Sequence, residues 1–280
     1  MKHYTLSAFA DEYDSDFEAQ LAALQRFGVR YLELRFVDGT NVADLTDAQL
    51  ARVQALLAQY GITVSAIGSP IGKIALDGDL EAHFAKAARV FHIAKLLNVQ
   101  NIRCFSFYPP AGKAIADCRD EVIAQMSWLL ELADNYGVTL CHENEAGIYG
   151  ESPENCLDLL KHFGGRLKCV FDMGNFVLDG FDPVNALSLL QPYIQYFHIK
   201  DALYAGAIVP AGKGEACIRE ILSAYPNSTF VTLEPHLQTF SGLNALVGKT
   251  FENPYQYPDQ QAAFTDAVGC IRRILEDVNQ

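Results

Sequence analysis

Eight short runs rich in β-branched and apolar residues, near 4–9, 29–35, 62–67, 99–105, 138–143, 168–172, 193–199 and 229–234, are each followed by a segment of helical period. The helical segments fall near 16–27, 46–60, 79–97, 117–136, 153–163, 183–190, 215–224 and 258–277. Alternation of this kind implies a parallel sheet, because parallel neighbours need a crossover long enough to hold a helix. The runs are apolar at nearly every position, as strands covered on both faces must be. Eight such units can close on themselves, so the expected fold is a (β/α)8 TIM barrel, one domain over 1–280. An open doubly wound sheet is the competitor. It usually carries a glycine-rich turn after the first strand, whereas Ser7-Ala-Phe-Ala-Asp11 follows here.

Local punctuation agrees with the repeat. Phe27-Gly28-Val29, Tyr60-Gly61-Ile62 and Tyr136-Gly137-Val138 place a glycine where a helix must stop in a left-handed conformation before a strand begins. Thr46 with Gln49 three residues on, and Ser152 before Pro153, have the form of helix N-termini. Phe17, Leu21 and Leu24 in the first helix, and Phe264, Val268, Ile271 and Leu275 in the last, form stripes that pack one helix face onto a core. No linker, low-complexity tract or composition shift divides the chain.

The net charge of −13, with no tract rich in lysine or arginine, opposes phosphate backbones and anionic membranes and leaves a neutral small molecule as the better partner. The seven cysteines lack CxxC spacing and read as reduced thiols. With no apolar leader near Met1 and nowhere 18 apolar residues together, a cytoplasmic protein is expected.

Four of the strand-like runs finish on a side chain that can bind metal: Thr139-Leu-Cys-His-Glu143, Leu167-Lys-Cys-Val-Phe-Asp172, Tyr193-Ile-Gln-Tyr-Phe-His198 and Phe230-Val-Thr-Leu-Glu234. Their polar ends are 29, 26 and 36 residues apart, about one βα unit each. In a parallel barrel the C-terminal strand ends form the functional face, so these residues are expected to grip one divalent cation. Three carboxylates and an imidazole form a hard, oxygen-rich set that suits Mn²⁺ first, with Mg²⁺, Co²⁺ or Zn²⁺ as alternatives.

The successive segments His142-Glu-Asn-Glu145, Asp172-Met-Gly-Asn175, His198-Ile-Lys-Asp201, Pro210-Ala-Gly-Lys-Gly214 and Glu234-Pro235 resemble the signatures of the xylose-isomerase-like TIM barrel superfamily, the sugar phosphate isomerase/epimerase group. The resemblance covers nearly the whole chain. It implies that Glu143, Asp172, His198 and Glu234 hold the metal. It also implies that Glu143 and Glu234 form the acid/base pair of a sugar isomerase or epimerase working through an enediolate. Two positions depart from the group: Glu145 and Asn175 stand where many relatives carry histidine, and both are counted among the candidates for contacting substrate.

Further residues are candidates for binding substrate hydroxyls. Glu33 and Arg35 share a strand face, Arg103 lies at the end of the fourth strand, and Lys200 has the parity of His198, as His236 has that of Glu234. The competing reading is a salt-bridged barrel-end network, with Lys200 paired to Asp201. His142, of opposite parity to Glu143, reads as a packing histidine. Gly212 and Gly214 resemble a weak anion cradle. The long stretch after strand eight, with Phe240, Leu243, Leu246 and Phe251, could form a flap over the site or pack on a second subunit of a homo-oligomer. The rival functions are a dehydratase of a keto-polyol on the same barrel, an AP-endonuclease-like hydrolase, which the acidity disfavours, and a non-catalytic sugar-binding barrel.

Overall fold

The computed structural model describes residues 3–238 and 255–279. The expected flap residues Phe240, Leu243, Leu246 and Phe251 lie outside them.

Eight strands, β1 (Tyr4–Ala8), β2 (Tyr31–Leu34), β3 (Thr63–Ile67), β4 (Asn101–Cys104), β5 (Thr139–Glu143), β6 (Lys168–Asp172), β7 (Ile194–Ile199) and β8 (Thr229–Leu233), close a barrel in chain order, with β8 beside β1. Every barrel pair is parallel. Around it run α1 (Phe17–Arg26), α2 (Asp47–Tyr60), α3 (Leu80–Leu96), α4 (Arg119–Tyr136), α5 (Pro153–His162), α6 (Met173–Leu178), α7 (Pro183–Leu190), α8 (Ile218–Ala224) and α9 (Gln260–Val278). Among the described residues no helix is long and apolar enough to cross a membrane.

The helix ends follow the expected chemistry. Thr46 and Gln49 form a reciprocal capping box on α2, and Ser152 caps α5 ahead of Pro153. Gly28, Gly61 and Gly137 all have positive φ, near +65°, a conformation that costs a residue with a Cβ about 1 kcal/mol or more. Phe17, Leu21 and Leu24 of α1, and Phe264, Val268, Ile271 and Leu275 of α9, are buried in the layer between helices and barrel. All seven cysteines are free.

Period-two alternation sorts the strands into an outer and an inner set. Phe197 and Ile199 of β7, Phe171 of β6 and Val231 and Leu233 of β8 face the helices. Ala66, Cys141, Val170 and Tyr196 pack inside the barrel, with Phe230 beneath them. Two residues further along the same inward rows come Glu143, Asp172 and His198, and Glu234 follows Thr232 in the same way. The mouth chemistry is therefore seated directly on the inner apolar layer.

The loop after β3 is held to α3 by His83, whose Nε2 accepts the Gly72 N–H at 2.8 Å. Gly72 has φ +87°, and a Cβ there would lie 2.0 Å from the Phe105 carbonyl oxygen, so only glycine fits. Burial, aided by Lys86, holds the His83 imidazole down at about 4. The unfolded chain therefore binds this proton more readily than the folded one between about pH 6.5 and 4, and stability falls as pH drops through that window. Discounted for partial exposure, the loss is about 1–2 kcal/mol. Calorimetric melting of wild type and His83→Gln from pH 7 to 4 should show a shallower acid slope in the variant; parallel slopes would contradict the assignment.

Candidate metal centre

Glu143, Asp172, His198 and Glu234 converge at the barrel mouth, each offering one ligand atom, and these atoms all lie within 4.8 Å of one another. All four are at most 3% exposed. Register staggers them around one point: Asp172 pairs with His198 and sets those two level, His198 pairs with Thr232 so that Glu234 stands one inward step above, and Glu143 pairs with Val170 one step below. A register shift at Cys169/Val170 lies just beneath Asp172. Bulges of this kind re-aim side chains at barrel rims.

His198 Nδ1 lies 2.7 Å from Glu143 Oε1 and 3.2 Å from Glu234 Oε2. Asp172 uses one oxygen to accept the Asn175 N–H at 2.8 Å, capping α6, a short helix the sequence reading did not anticipate. Its other oxygen meets Lys200 Nζ at 3.0 Å. Asn144 clasps the Asp172 backbone from both sides, accepting its N–H at 3.0 Å and donating to its carbonyl at 2.9 Å, and Asn175 donates to the Asn144 carbonyl at 2.9 Å. Gly174 allows the Lys200 stem to pass, since a Cβ there would lie 2.7 Å from Lys200 Cγ.

The cations are as tightly placed. Arg35, about 1% exposed, holds Asp11 through Nε at 2.9 Å, Glu234 through Nη1 at 2.8 Å and Glu12 through Nη2 at 3.2 Å, and lies over the Phe9 ring. Arg103 Nη1 is 3.1 Å from Glu143 Oε2 and 3.6 Å from Glu234 Oε1. Lys200 Nζ bridges Asp172, the Asn175 side-chain oxygen at 3.0 Å and Glu234 at 3.3 Å. The inward parity shared with His198 is the one Lys200 follows, and the competing Lys200–Asp201 pair does not form. Asp201 instead accepts the N–H groups of Gly212, Gly214 and Ala216 at 2.8–3.1 Å, so the anion in the Gly212/Gly214 cradle is the chain's own.

The remaining candidates divide clearly. Glu33 is fully buried between Tyr196 and His198. The backbone N–H of His236 donates to Glu12 at 2.7 Å, and its ring Nε2 is 3.4 Å from Glu12 and 3.5 Å from Glu234, facing the mouth. Glu145 pairs with Lys73 at 2.8 Å on the rim. His142 faces away from Glu143 and bonds Ser106 at 2.9 Å, matching the packing reading. Sequence reasoning had named neither Tyr196 nor Asn144 as part of this network; both carry the parity or adjacency of a ligand, which is the signal that points to them.

Electrostatics follow from geometry. Burial pushes the Glu143 carboxyl up, but His198 and Arg103 overcome it and hold the group at about 2. Against burial, Lys200, His236 and His198 hold Glu234 well below the usual carboxylate range. Burial dominates at Asp172, with Lys200 opposing and Glu143 and Glu234 adding to it, and raises the group to about 7. Burial lowers and Glu143, Glu33 and Glu234 raise the His198 imidazole, and the net displacement is upward. Three buried carboxylates this close, with an imidazole nitrogen aimed among them, form a donor set that a hard divalent cation fits.

A profile for the xylose isomerase-like TIM barrel matches residues 21–245. The chain belongs to that family. No curated protein matches by sequence. Among solved structures, D-psicose 3-epimerase with D-tagatose from Clostridium cellulolyticum H10 is similar at a TM-score of 0.76 and 15% identity, covering 98% of this chain and 99% of that one. The probable 3-DHS dehydratase AsbF of Bacillus anthracis gives 0.71 and 19%, covering 97% and 99%. A xylose isomerase-like TIM barrel protein from Mycobacterium smegmatis in complex with magnesium gives 0.70 and 14%, covering 100% and 98%. At these identities the likeness establishes the shared family fold.

Proposed function

We propose that this protein is a divalent-metal-dependent isomerase or epimerase of a neutral sugar or related polyol ketone, with Glu143 and Glu234 as the acid/base pair. The observation that carries the reading is the convergence of Glu143, Asp172, His198 and Glu234 on one buried point of the barrel mouth. A divalent cation bound there, Mn²⁺ by preference, supplies Lewis-acid polarisation of a carbonyl oxygen and acidifies the adjacent carbon-bound proton. Glu143 and Glu234 come from β5 and from the end of β8, on different sides of the mouth. One glutamate takes the proton from carbon and the other returns one to the opposite face, so that the substrate passes through an enediolate. Arg103 and Arg35, held by these carboxylates, fix their orientation and keep them anionic. Lys200, hydrogen-bonded to Asp172 and Glu234, places a third fixed positive charge where oxyanion character develops.

Charge favours a neutral substrate. Six buried carboxylates at the mouth, Asp11, Glu12, Glu33, Glu143, Asp172 and Glu234, face three buried cations, Arg35, Arg103 and Lys200. With a divalent ion the formal sum of six negative, three positive and two ionic charges is −1, and with Glu12 held protonated it is zero, so a phosphate group meets no net positive charge there. Similarity to a probable dehydratase supports a second reading, loss of water following the same proton abstraction.

The manganese-loaded protein incubated with a panel of ketoses in D₂O tests both. Deuterium at carbon with no loss of water supports isomerisation or epimerisation; a dehydrated product supports the second reading; no exchange across a broad panel, with metal bound, overturns both. Chelation should abolish exchange and Mn²⁺ restore it. The same metal added at a hundred times its dissociation constant should stabilise the fold by about 2.7 kcal/mol, read as a rise in melting temperature.

A further inference from the structure

An imidazole that binds a cation through Nδ1 must carry its proton on Nε2, and a buried Nε2–H needs an acceptor. His198 meets this condition in an unusually closed setting. Its Nδ1 faces Glu143 and Glu234, while its Nε2 lies 3.1 Å from Glu33 Oε2. Glu33 comes from β2, across the barrel from β7. Its second oxygen accepts the Tyr196 hydroxyl at 3.0 Å, and Tyr196 stands two residues below His198 on the same inward row. The Phe9 ring packs edge-on against the imidazole at 5.2 Å. A register shift between Leu32 and Glu33 marks the point where β2 turns this carboxylate inward. Both Glu33 oxygens are thus engaged within the protein, and the side chain is fully buried, with no surface left for a sugar hydroxyl.

We propose that Glu33, oriented by Tyr196, is a positioning residue that locks His198 as the Nε2–H tautomer and so presents Nδ1 to the cation. This rests on the metal-binding reading above. It moves Glu33 from the substrate-binding role its strand parity suggests to one behind the ligand shell. The Tyr196–Glu33–His198 chain spans the barrel interior and fixes both the proton and the ring plane of the nitrogen ligand in the Glu143, Asp172, His198 and Glu234 set. Residues acting in this way change metal affinity about 10–100-fold when removed.

Calorimetric titration with Mn²⁺ alone, and ¹⁵N NMR of the protein loaded with diamagnetic Zn²⁺, test it. Wild type should show a protected Nε2–H on His198 and a metal-bound Nδ1. Glu33→Ala should raise the Mn²⁺ dissociation constant about 10–100-fold, Glu33→Gln, which keeps an acceptor oxygen, should recover part of that loss, and Tyr196→Phe should weaken binding by a few-fold. Asp172→Asn serves as the control that the titrated site is this one. The proposal is overturned if Glu33→Ala binds Mn²⁺ within twofold of wild type while Asp172→Asn is impaired. A proton on Nδ1 in the zinc-loaded wild type overturns it without any variant, even if Glu33→Ala does not fold. Failure of the wild type to bind either ion would remove the metal reading itself, an outcome distinct from both.

Discussion

Glu143→Gln and Glu234→Gln are each expected to lower deuterium incorporation from D₂O into substrate by about 10²–10⁴-fold, the usual contribution of a positioned acid/base group. The amide keeps the volume of the carboxylate, so circular dichroism and cooperative melting should survive. The losses should also depend on face. With each epimer as starting material, the larger loss is expected for the one whose carbon-bound proton points at the removed carboxylate. A weakened metal site alone would slow both epimers equally, so measuring exchange at saturating Mn²⁺ separates the two causes. The environments of the glutamates add a second contrast. Glu234 is shared by Arg35, Lys200 and His198, whereas Glu143 is held by His198 and Arg103. Glu234→Gln therefore leaves more buried positive charge uncompensated and should be the less stable variant. Undiminished exchange from both epimers in either variant would refute the role assigned to that glutamate.

The parts of this molecule that were legible in its sequence are those with a local cause. A parallel strand covered on both faces must be apolar throughout, which makes β1 to β8 visible, and a helix that ends in the left-handed region asks for glycine, which marks Gly28, Gly61 and Gly137. The four converging residues were legible for the same reason. Each occupies the inward parity at the end of its strand, above Cys141, Val170, Tyr196 or Thr232. What could not be read depends on contacts across the barrel. Arg35 reaches Glu234 over a separation of 199 residues and Tyr196 reaches Glu33 over 163, and neither pairing leaves a periodic trace. Lys200 marks the boundary: its inward parity, shared with His198, is visible in the sequence, whereas the partners it meets there, Asp172 and Glu234, are not, and Asp201 closes the Gly212–Ala216 turn. That clamp also explains why α8 begins at Ile218, later than its helical pattern suggests. The amides of 212, 214 and 216 are committed to Asp201, and Cys217 enters the helix with φ +50°. Helix α6 escaped notice because it is six residues long and contains a glycine; Asp172 nucleates it through its cap.

Replacing Arg35 by methionine should destabilise the metal-free protein by about 3–5 kcal/mol, the range observed when one member of a buried ionic cluster is removed and its partners remain. Methionine fills similar space, so the effect isolates charge. It strands Asp11, Glu12 and Glu234 in the interior, and the cost depends on pH in a definite direction. Glu12 already stands at about 8, raised by burial against the opposing pull of Arg35, with Glu234 and Asp11 adding to the rise. Without the guanidinium Asp11 and Glu12, both already raised by burial, hold their protons to still higher pH in the folded chain, while in the unfolded chain they ionise near 4. A raised carboxyl contributes stability below its unfolded value and loses it as pH climbs through the folded one, so the penalty should be small near pH 5 and largest near pH 8. Urea unfolding of wild type and Arg35→Met at those two pH values measures this, and equal penalties at both would contradict the assignment. Arg35→Lys should rescue poorly, because one compact ammonium cannot present the three-way fork that reaches Asp11, Glu12 and Glu234 together. Adding Asp11→Asn and Glu12→Gln to Arg35→Met should recover much of the stability at pH 8, since the buried anions disappear along with their cation. Glu234 would then have lost its 2.8 Å contact to Arg35 and keep, of its guanidinium contacts, only the longer one to Arg103, so the triple variant should be well folded yet impaired in exchange, separating the architectural role of Arg35 from the chemistry it supports.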